Sequence, residues 1–403
     1  MKVAYYSPLP PEKSGIADYS ALLLPALQER VEVDAARRGR QARGDVALYH
    51  IGNNPDAHGW ILEQLRREPG VVVLHDFVLH HLVAGMTLGR KDGAAYLDAM
   101  ERDAGLAGRL LGLGVIDGCI PPLWEVRPED FPLCGEVLDL ATGVIAHSCY
   151  VEERVRSRGY AGPVWRVPMA AWPTPSVTAE RVAGPPVLGA FGHMNAAKRV
   201  PQLLAAFARF HESSPDARLL LVGSVAAGLD LDWRIEHEGL QGLVAREDYV
   251  GEERLWALMA GVDVVVSLRS PTMGETSAIV IRALTLGKPL VVSDVGWFAE
   301  LPDDVAVKVA PDEDEAQRLA GAFAHVAANA DVFGAASRAL AETEHSIDRV
   351  ADLYVAALEE ALGGEAVRDE VLREVSTAAF EVGIDPASEE AGALGRALDE
   401  VEL

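Results

Sequence analysis

Cysteine is scarce in this chain of 403 residues, with Cys119, Cys134 and Cys149 alone, none at metal-ligand spacing from another. An odd count in a long chain argues against a disulfide framework, and the three read as buried small hydrophobes. Long apolar runs are missing as well: none reaches the roughly 20 residues that span a bilayer. The N-terminus, Met1-Lys-Val-Ala-Tyr-Tyr6, passes straight into a strand instead of a signal peptide, so a cytoplasmic location is expected. Positive charge is in deficit, with 36 basic against 61 acidic residues and a net charge of −25. Such a chain repels a nucleic-acid backbone, and no nucleic-acid partner is expected. A negatively charged substrate must be caught by a few placed groups, while most of the acidic excess solvates the surface.

What is present is an alternation of short apolar runs and helical patterns, which predicts an α/β protein. Lys2–Tyr6, Val46–Tyr49, Val71–Leu74 and Val144–Ala146 read as strands of a first half. Val187–Phe191, Leu219–Val222, Asp248–Val250, Val262–Ser267 and Leu290–Val292 read as strands of a second. Two successive doubly wound, Rossmann-like domains facing each other across a cleft fit this order. The expected divisions are 1–170, a proline-rich linker at 171–186, 187–345, and C-terminal helices at 346–403 that pack back on the first domain. Trp165-Arg-Val-Pro-Met169 opens the passage into that linker. The helices from Ile347 onward, with Val371, Leu372, Val375 and Phe380 in the last segment, read as packing.

Polar residues follow the strands, and in open α/β sheets ligands bind at that edge. Ser14 and Gly15 lie in a glycine-bearing loop between the first strand and a helix, an arrangement suited to an anion. His50, His75 with Asp76, and His147 each close a strand. His75 is the sharpest of these, because an imidazole there can donate to a sugar hydroxyl or a phosphate. His80 and His81 read as satisfied or solvent-facing helix histidines. Residues 84–136 read as helices over one face that could grip a second substrate. In the second half Gly192-His-Met-Asn-Ala-Ala-Lys198 forms a loop after one strand, and Gly223-Ser224 ends another. The organising stretch is Val262–Glu300: strand, the loop Pro271-Thr-Met-Gly-Glu-Thr-Ser277, helix, then strand, with Glu275 at the strand's C-terminal end.

These residues together resemble the GT-B glycosyltransferases of glycosyltransferase family 4, most strongly from Val187 to Asp303. The resemblance implies a GT-B fold and transfer of a sugar from a nucleotide diphosphate donor to a hydroxyl acceptor, with retention of configuration. Ser14-Gly-Ile16 matches the family's first-domain loop and His75 its strand-closing histidine. Gly192 and Lys198 match positions that hold the donor diphosphate, with His193 where the family has arginine. Counting back from Gly287 and Pro289, the family's second glutamate falls on Arg282, and Glu275 takes the first place in a loop one residue shorter.

The resemblance makes His75, Lys198 and Glu275 the expected catalytic residues. Lys198, the N–H groups of Gly15, Glu275, Thr276 and Ser277, and His193 or Arg282 would stabilise the departing diphosphate. Ser14 and Gly192 belong to the same diphosphate site. Glu275 would orient the sugar ring. A guanidinium only donates, so Arg282 would give hydrogen bonds to ribose oxygens or pair with Glu275 or the phosphates. Tyr249, Val250 and Ser224 are expected on the nucleoside side. Asp76, His147 and Glu300 are possible cleft residues, Glu300 either lining the cleft or capping the helix it starts. No metal ligand cluster and no cofactor are expected. A nucleotide-sugar epimerase and a nucleotide-sugar binding protein without turnover are the alternatives.

Overall fold

The computed structural model describes residues 1–12, 14–363, 365–385 and 388–400. Its apolar runs assemble into two six-stranded sheets. The first contains β1 (Lys2–Tyr6), β2 (Glu32–Ala35), β3 (Val46–Ile51), β4 (Gly70–Leu74), β5 (Ala141–Ala146) and β6 (Val164–Arg166). The second contains β7 (Val187–Phe191), β8 (Arg218–Val222), β9 (Val244–Glu247), β10 (Val264–Ser267), β11 (Leu290–Ser293) and β12 (Ala306–Val309). All pairings are parallel, in the orders β2-β1-β3-β4-β5-β6 and β12-β11-β10-β7-β8-β9. Parallel sheets need cover on both faces, which is why central strands such as Val71-Val-Val73 are apolar at every position and fully buried.

Helices supply that cover. The first half contributes α1 (Gly15–Gln28), α2 (Pro55–Leu65), α3 (His80–Met86), α4 (Gly93–Ile116), α5 (Leu123–Val126), α6 (Gly135–Leu140) and α7 (Cys149–Ser157). The second contributes α8 (Val200–Ser213), α9 (Leu231–His237), α10 (Glu252–Gly261), α11 (Ala278–Thr285), α12 (Glu315–Ala328) and α13 (Ala330–Thr343). The chain then runs through α14 (Ile347–Gly363), α15 (Glu365–Glu381) and α16 (Glu389–Glu400). The amphipathic α14 returns to the first half: Arg30 pairs with Asp348 and Asp352, and the hydroxyls of Tyr19 and Tyr354 lie 3.4 Å apart. Leu23, Leu27, Trp172, Val280, Leu284, Tyr354 and Leu358 share one buried cluster, so apolar burial joins the two halves.

Several expectations need correction. The strand after β8 is Val244–Glu247, and Asp248–Val250 is the loop that follows it. Edge strand β9 is half-exposed and carries Arg246 and Glu247, so it lacks the apolar run that marks a central strand. Val164–Arg166 belongs to the first sheet as β6, with Trp165 donating its indole N–H to Glu360. Only Cys134 is buried; Cys119 is exposed and Cys149 half-buried at the start of α7. Phe380 does not pack and is 80% exposed. Residues 401–403 and the side chain of Val371 lie outside the described residues.

The halves also touch through polar contacts at the strand ends. The Val78 N–H donates to the Met273 carbonyl at 2.9 Å, and Gly274 lies against the backbone of Phe77. Glu300 reaches from the turn Gly296–Glu300 to accept from the N–H groups of Cys149 and Tyr150, at 2.9 and 2.6 Å.

Candidate active site

Each sheet reverses its strand order once, between β1 and β3 in the first and between β7 and β10 in the second. Loops diverge at such a point and leave a crevice at the C-terminal strand ends. The two crevices open on one another. A cavity of about 290 Å³ lies there, lined on the first-sheet side by Ser14, Gly15, Asn53, Asn54, His58, His75, Asp76 and His147. Glu275, Thr276 and Ala278 line it from the second sheet. Its volume is near the lower end of small-molecule sites, of the order of 300 Å³.

Two helix N-termini meet at this cavity. Ser14 caps α1, its Oγ accepting from the Ala17 N–H at 3.1 Å, and Ser277 caps α11 by accepting from Val280 at 3.3 Å. Each hydroxyl thereby spends one lone pair on its helix and keeps its O–H proton. The free N–H groups of each first turn give the cavity a partial positive potential from both sides.

On the first-sheet side the walls are mostly neutral. His58 donates from Nδ1 to the His50 carbonyl at 3.1 Å, and His147 from Nδ1 to the Val167 carbonyl at 2.8 Å. Burial pushes both imidazoles down to about 4. His75 is held well below the ordinary histidine value by burial, with His147 and His50 adding to the effect. Its Nε2 lies 2.9 Å from Nδ1 of His50, which is also buried and shifted down, by burial first. Asp76 accepts from the Asn53 N–H at 2.8 Å, yet burial and then the nearby Glu275 push its carboxyl up to about 7. His80 is satisfied by the Phe131 carbonyl and the Tyr96 hydroxyl, and His81 is exposed.

The second-sheet side is charged and tightly cross-linked. One oxygen of Glu275 pairs with Arg269 Nε at 2.5 Å. The other accepts from the Thr272 hydroxyl at 3.0 Å and the Met273 N–H at 2.7 Å. Lys198 donates to the Phe191 carbonyl beside Gly192. Burial, then repulsion from Arg269, push its ammonium down to about 7, against the attraction of Glu275. The Ser270 N–H donates to the Ala197 carbonyl at 2.8 Å, which ties the Lys198 loop to the loop after β10. His193 is exposed and lies 2.9 Å from the Ser224 hydroxyl. The Thr276 hydroxyl is buried without a partner among the described residues.

Arg282 lies elsewhere than expected of a phosphate partner. Its side chain is 5% exposed, and its guanidinium stacks 3.8 Å over Trp172 and 5.6 Å from Trp256. Nη2 meets Glu252 at 3.3 Å and Asp18 at 4.0 Å. It therefore pairs with carboxylates of α10 and α1, and not with Glu275. Tyr249, 72% exposed, and Val250 precede Glu252 in the same loop. Glu300 also differs from both expectations: it caps α7 of the other half.

Sequence reading missed Arg269, Asn53, Asn54 and His58. The available signal was position, since Arg269 lies two residues beyond the end of β10 and Asn53 two residues beyond the end of β3. Among the described residues no group of three or more His, Cys, Asp and Glu side chains is arranged to hold a metal ion.

Residues 185–329 match the family model described as glycosyl transferases group 1. No curated protein matches the chain. Among solved structures, Anabaena HepE in complex with UDP-glucose is similar at a TM-score of 0.58 and 15% identity, covering 89% of this chain and 100% of that one. Sucrose-phosphate synthase from Thermosynechococcus elongatus gives 0.51 and 21%, covering 78% and 72%. AviGT4, a glycosyltransferase involved in avilamycin A biosynthesis, gives 0.50 and 21%, covering 90% and 98%. Likeness at such identities speaks for architecture. The chain has the GT-B fold of these structures, and its second half is similar to the group 1 glycosyl transferases.

Proposed function

We propose that the protein is a glycosyltransferase that moves a sugar from a nucleoside diphosphate sugar to a hydroxyl acceptor, with retention of configuration and without a metal ion. The observation that carries this reading is a cavity shared by both switch points, lined by two helix N-termini, Asp76 and Glu275, with Arg269 paired to Glu275 and Lys198 within electrostatic reach of both. The match of residues 185–329 to group 1 glycosyl transferases supports it, as does the UDP-glucose complex of the similar HepE. UDP-sugars are accordingly the first donors to test.

The leaving diphosphate gains negative charge as the glycosidic bond breaks. Lys198 and the α11 N-terminus stabilise that charge from the second-sheet side. A diphosphate bound beside Lys198 raises the affinity of the amine for its proton, restoring the cation where it is needed. Glu275, held on both oxygens by Arg269, Thr272 and Met273, is a rigid acceptor for sugar hydroxyls and a poor nucleophile. That supports front-face attack, with the departing phosphate taking the acceptor's proton.

The test is a thermal-shift panel of nucleoside diphosphates and their sugars, followed by turnover assays with hydroxyl acceptors in excess EDTA. Acceptor-dependent release of nucleoside diphosphate is expected, and NMR of the product should show the donor's anomeric configuration. Loss of turnover in EDTA with rescue by a divalent ion would refute the metal-free part, and an inverted product the retaining part. The sealed position of Arg282, where a second carboxylate was sought, favours one other reading, a binding protein without turnover. That reading predicts donor binding with no release under any acceptor, whereas an epimerase would convert donor without an acceptor.

A further inference from the structure

His50 is fully buried, does not line the cavity, and spends one ring nitrogen on His75. Its Nε2 has no partner among the described residues. The bond between His50 Nδ1 and His75 Nε2 carries one proton, and two tautomer pairs are compatible with it. If His75 donates, His50 must carry its own proton on Nε2, as a buried N–H with no acceptor. If His50 donates, Nε2 of His50 is a bare lone pair. Buried N–H groups left without an acceptor are rarer than under-satisfied acceptors, so the second arrangement is favoured. His75 then accepts at Nε2 and carries its proton on Nδ1, the nitrogen left for a ligand in the cavity it lines.

The two other cavity imidazoles have the opposite role. A carbonyl can only accept, so Nδ1 of His58 and of His147 bears the proton, and both present Nε2 as a lone pair. His147 Nε2 is buried without a partner among the described residues. We propose that His50 is a positioning residue that fixes the Nδ1–H tautomer of His75. The cavity then sets one imidazole donor against two imidazole acceptors and selects a neutral polyhydroxyl group, the sugar ring of the donor, in preference to a phosphate. A hydroxyl both donates and accepts, so it satisfies both kinds of imidazole, whereas a phosphate oxygen satisfies only His75 and meets the lone pairs of His58 and His147. Asp76 and Glu275 on the same walls strengthen that exclusion. The ligand assignment rests on the glycosyl-transfer reading; the tautomer assignment does not.

The experiment is long-range 1H–15N correlation NMR of histidine-labelled wild-type protein at neutral pH, with His75 assigned by its absence in His75→Gln. The Nδ1–H form is expected, and an Nε2–H form, a mixture or an imidazolium would overturn the role of His50. His50→Asn places an amide N–H near the position of Nδ1 and should keep the His75 tautomer. His50→Leu should release it and weaken UDP-glucose binding about tenfold while changing UDP binding by less than threefold. Equal losses for the two ligands would overturn the sugar assignment. If wild-type protein fails to bind UDP-glucose, the ligand assignment falls while the tautomer result stands. Should His50→Leu not fold, the wild-type and His50→Asn spectra decide the role of His50.

Discussion

The two strand edges that face each other across the cavity solve different problems. The first-sheet edge buries neutral imidazoles whose ring nitrogens are assigned by backbone carbonyls and by each other. The second-sheet edge instead gathers Lys198, Arg269 and Glu275 and offsets their burial by pairing. A neutral edge can discriminate hydroxyl patterns, and a charged edge can hold a diphosphate. In a chain of net charge −25, the cationic side chains near the cavity, Lys198 and Arg269, are thus gathered on one side.

The comparison is broken most severely at Glu275. Glu275→Gln should lower turnover by roughly a hundredfold or more while leaving UDP affinity within threefold, as calorimetry and steady-state kinetics would measure. Equal losses in both would place Glu275 on the phosphates. Lys198→Ala should weaken UDP binding by about a hundredfold at low salt, less at high salt. A second consequence concerns protons. Free Lys198 is half-neutral near pH 7, so UDP binding at pH 8 should take up a proton, visible as a dependence of binding enthalpy on the buffer.

Arg282 offers a structural test. Arg282→Glu puts a carboxylate where the resemblance led one to expect it, but beside Glu252 and Asp18 and between two indoles. It should cost about 3–5 kcal/mol of stability and fail to improve turnover; a gain in activity would show that the site tolerates the second carboxylate after all.

A pH-dependent effect on stability is expected at Asp76. Its carboxyl keeps a proton up to about pH 7 when folded, against an ordinary value of 3.8. The folded state therefore binds more protons between those values, and stability falls as pH rises from about 4 to 7 by at most ~1.4 kcal/mol per pH unit. Asp76→Asn should flatten that decline in denaturant titrations and raise Tm by a few degrees at pH 8.

Much of this was legible in the chain. Central strands announced themselves as apolar runs because both their faces are buried, and Gly15, His75, Lys198 and Glu275 stood out as polar or glycine positions beyond such runs. Edge strands β2, β6 and β9 were harder, since half-exposed strands carry residues such as Glu32, Arg166 and Arg246 that loops also carry. Arg269 escaped because its bond to Glu275 depends on how the intervening loop turns. His58 escaped because a histidine on a helix looks solvent-facing until the cap at Asn54 orients the helix toward the cavity. Arg282 was read in its linear place, and the indoles that enclose it come from residues 172 and 256, far away along the chain.

Gly274 carries one last implication. It has a φ of +81°, and a β-carbon there would stand 2.7 Å from that of Phe77. Left-handed backbone and lack of room independently favour glycine at this position. Any larger residue would act as a wedge between the loop bearing Glu275 and the loop bearing His75 and Asp76. Gly274 is in effect a spacer of zero thickness, and the width of the gap between the two loops is gauged by a missing methyl group.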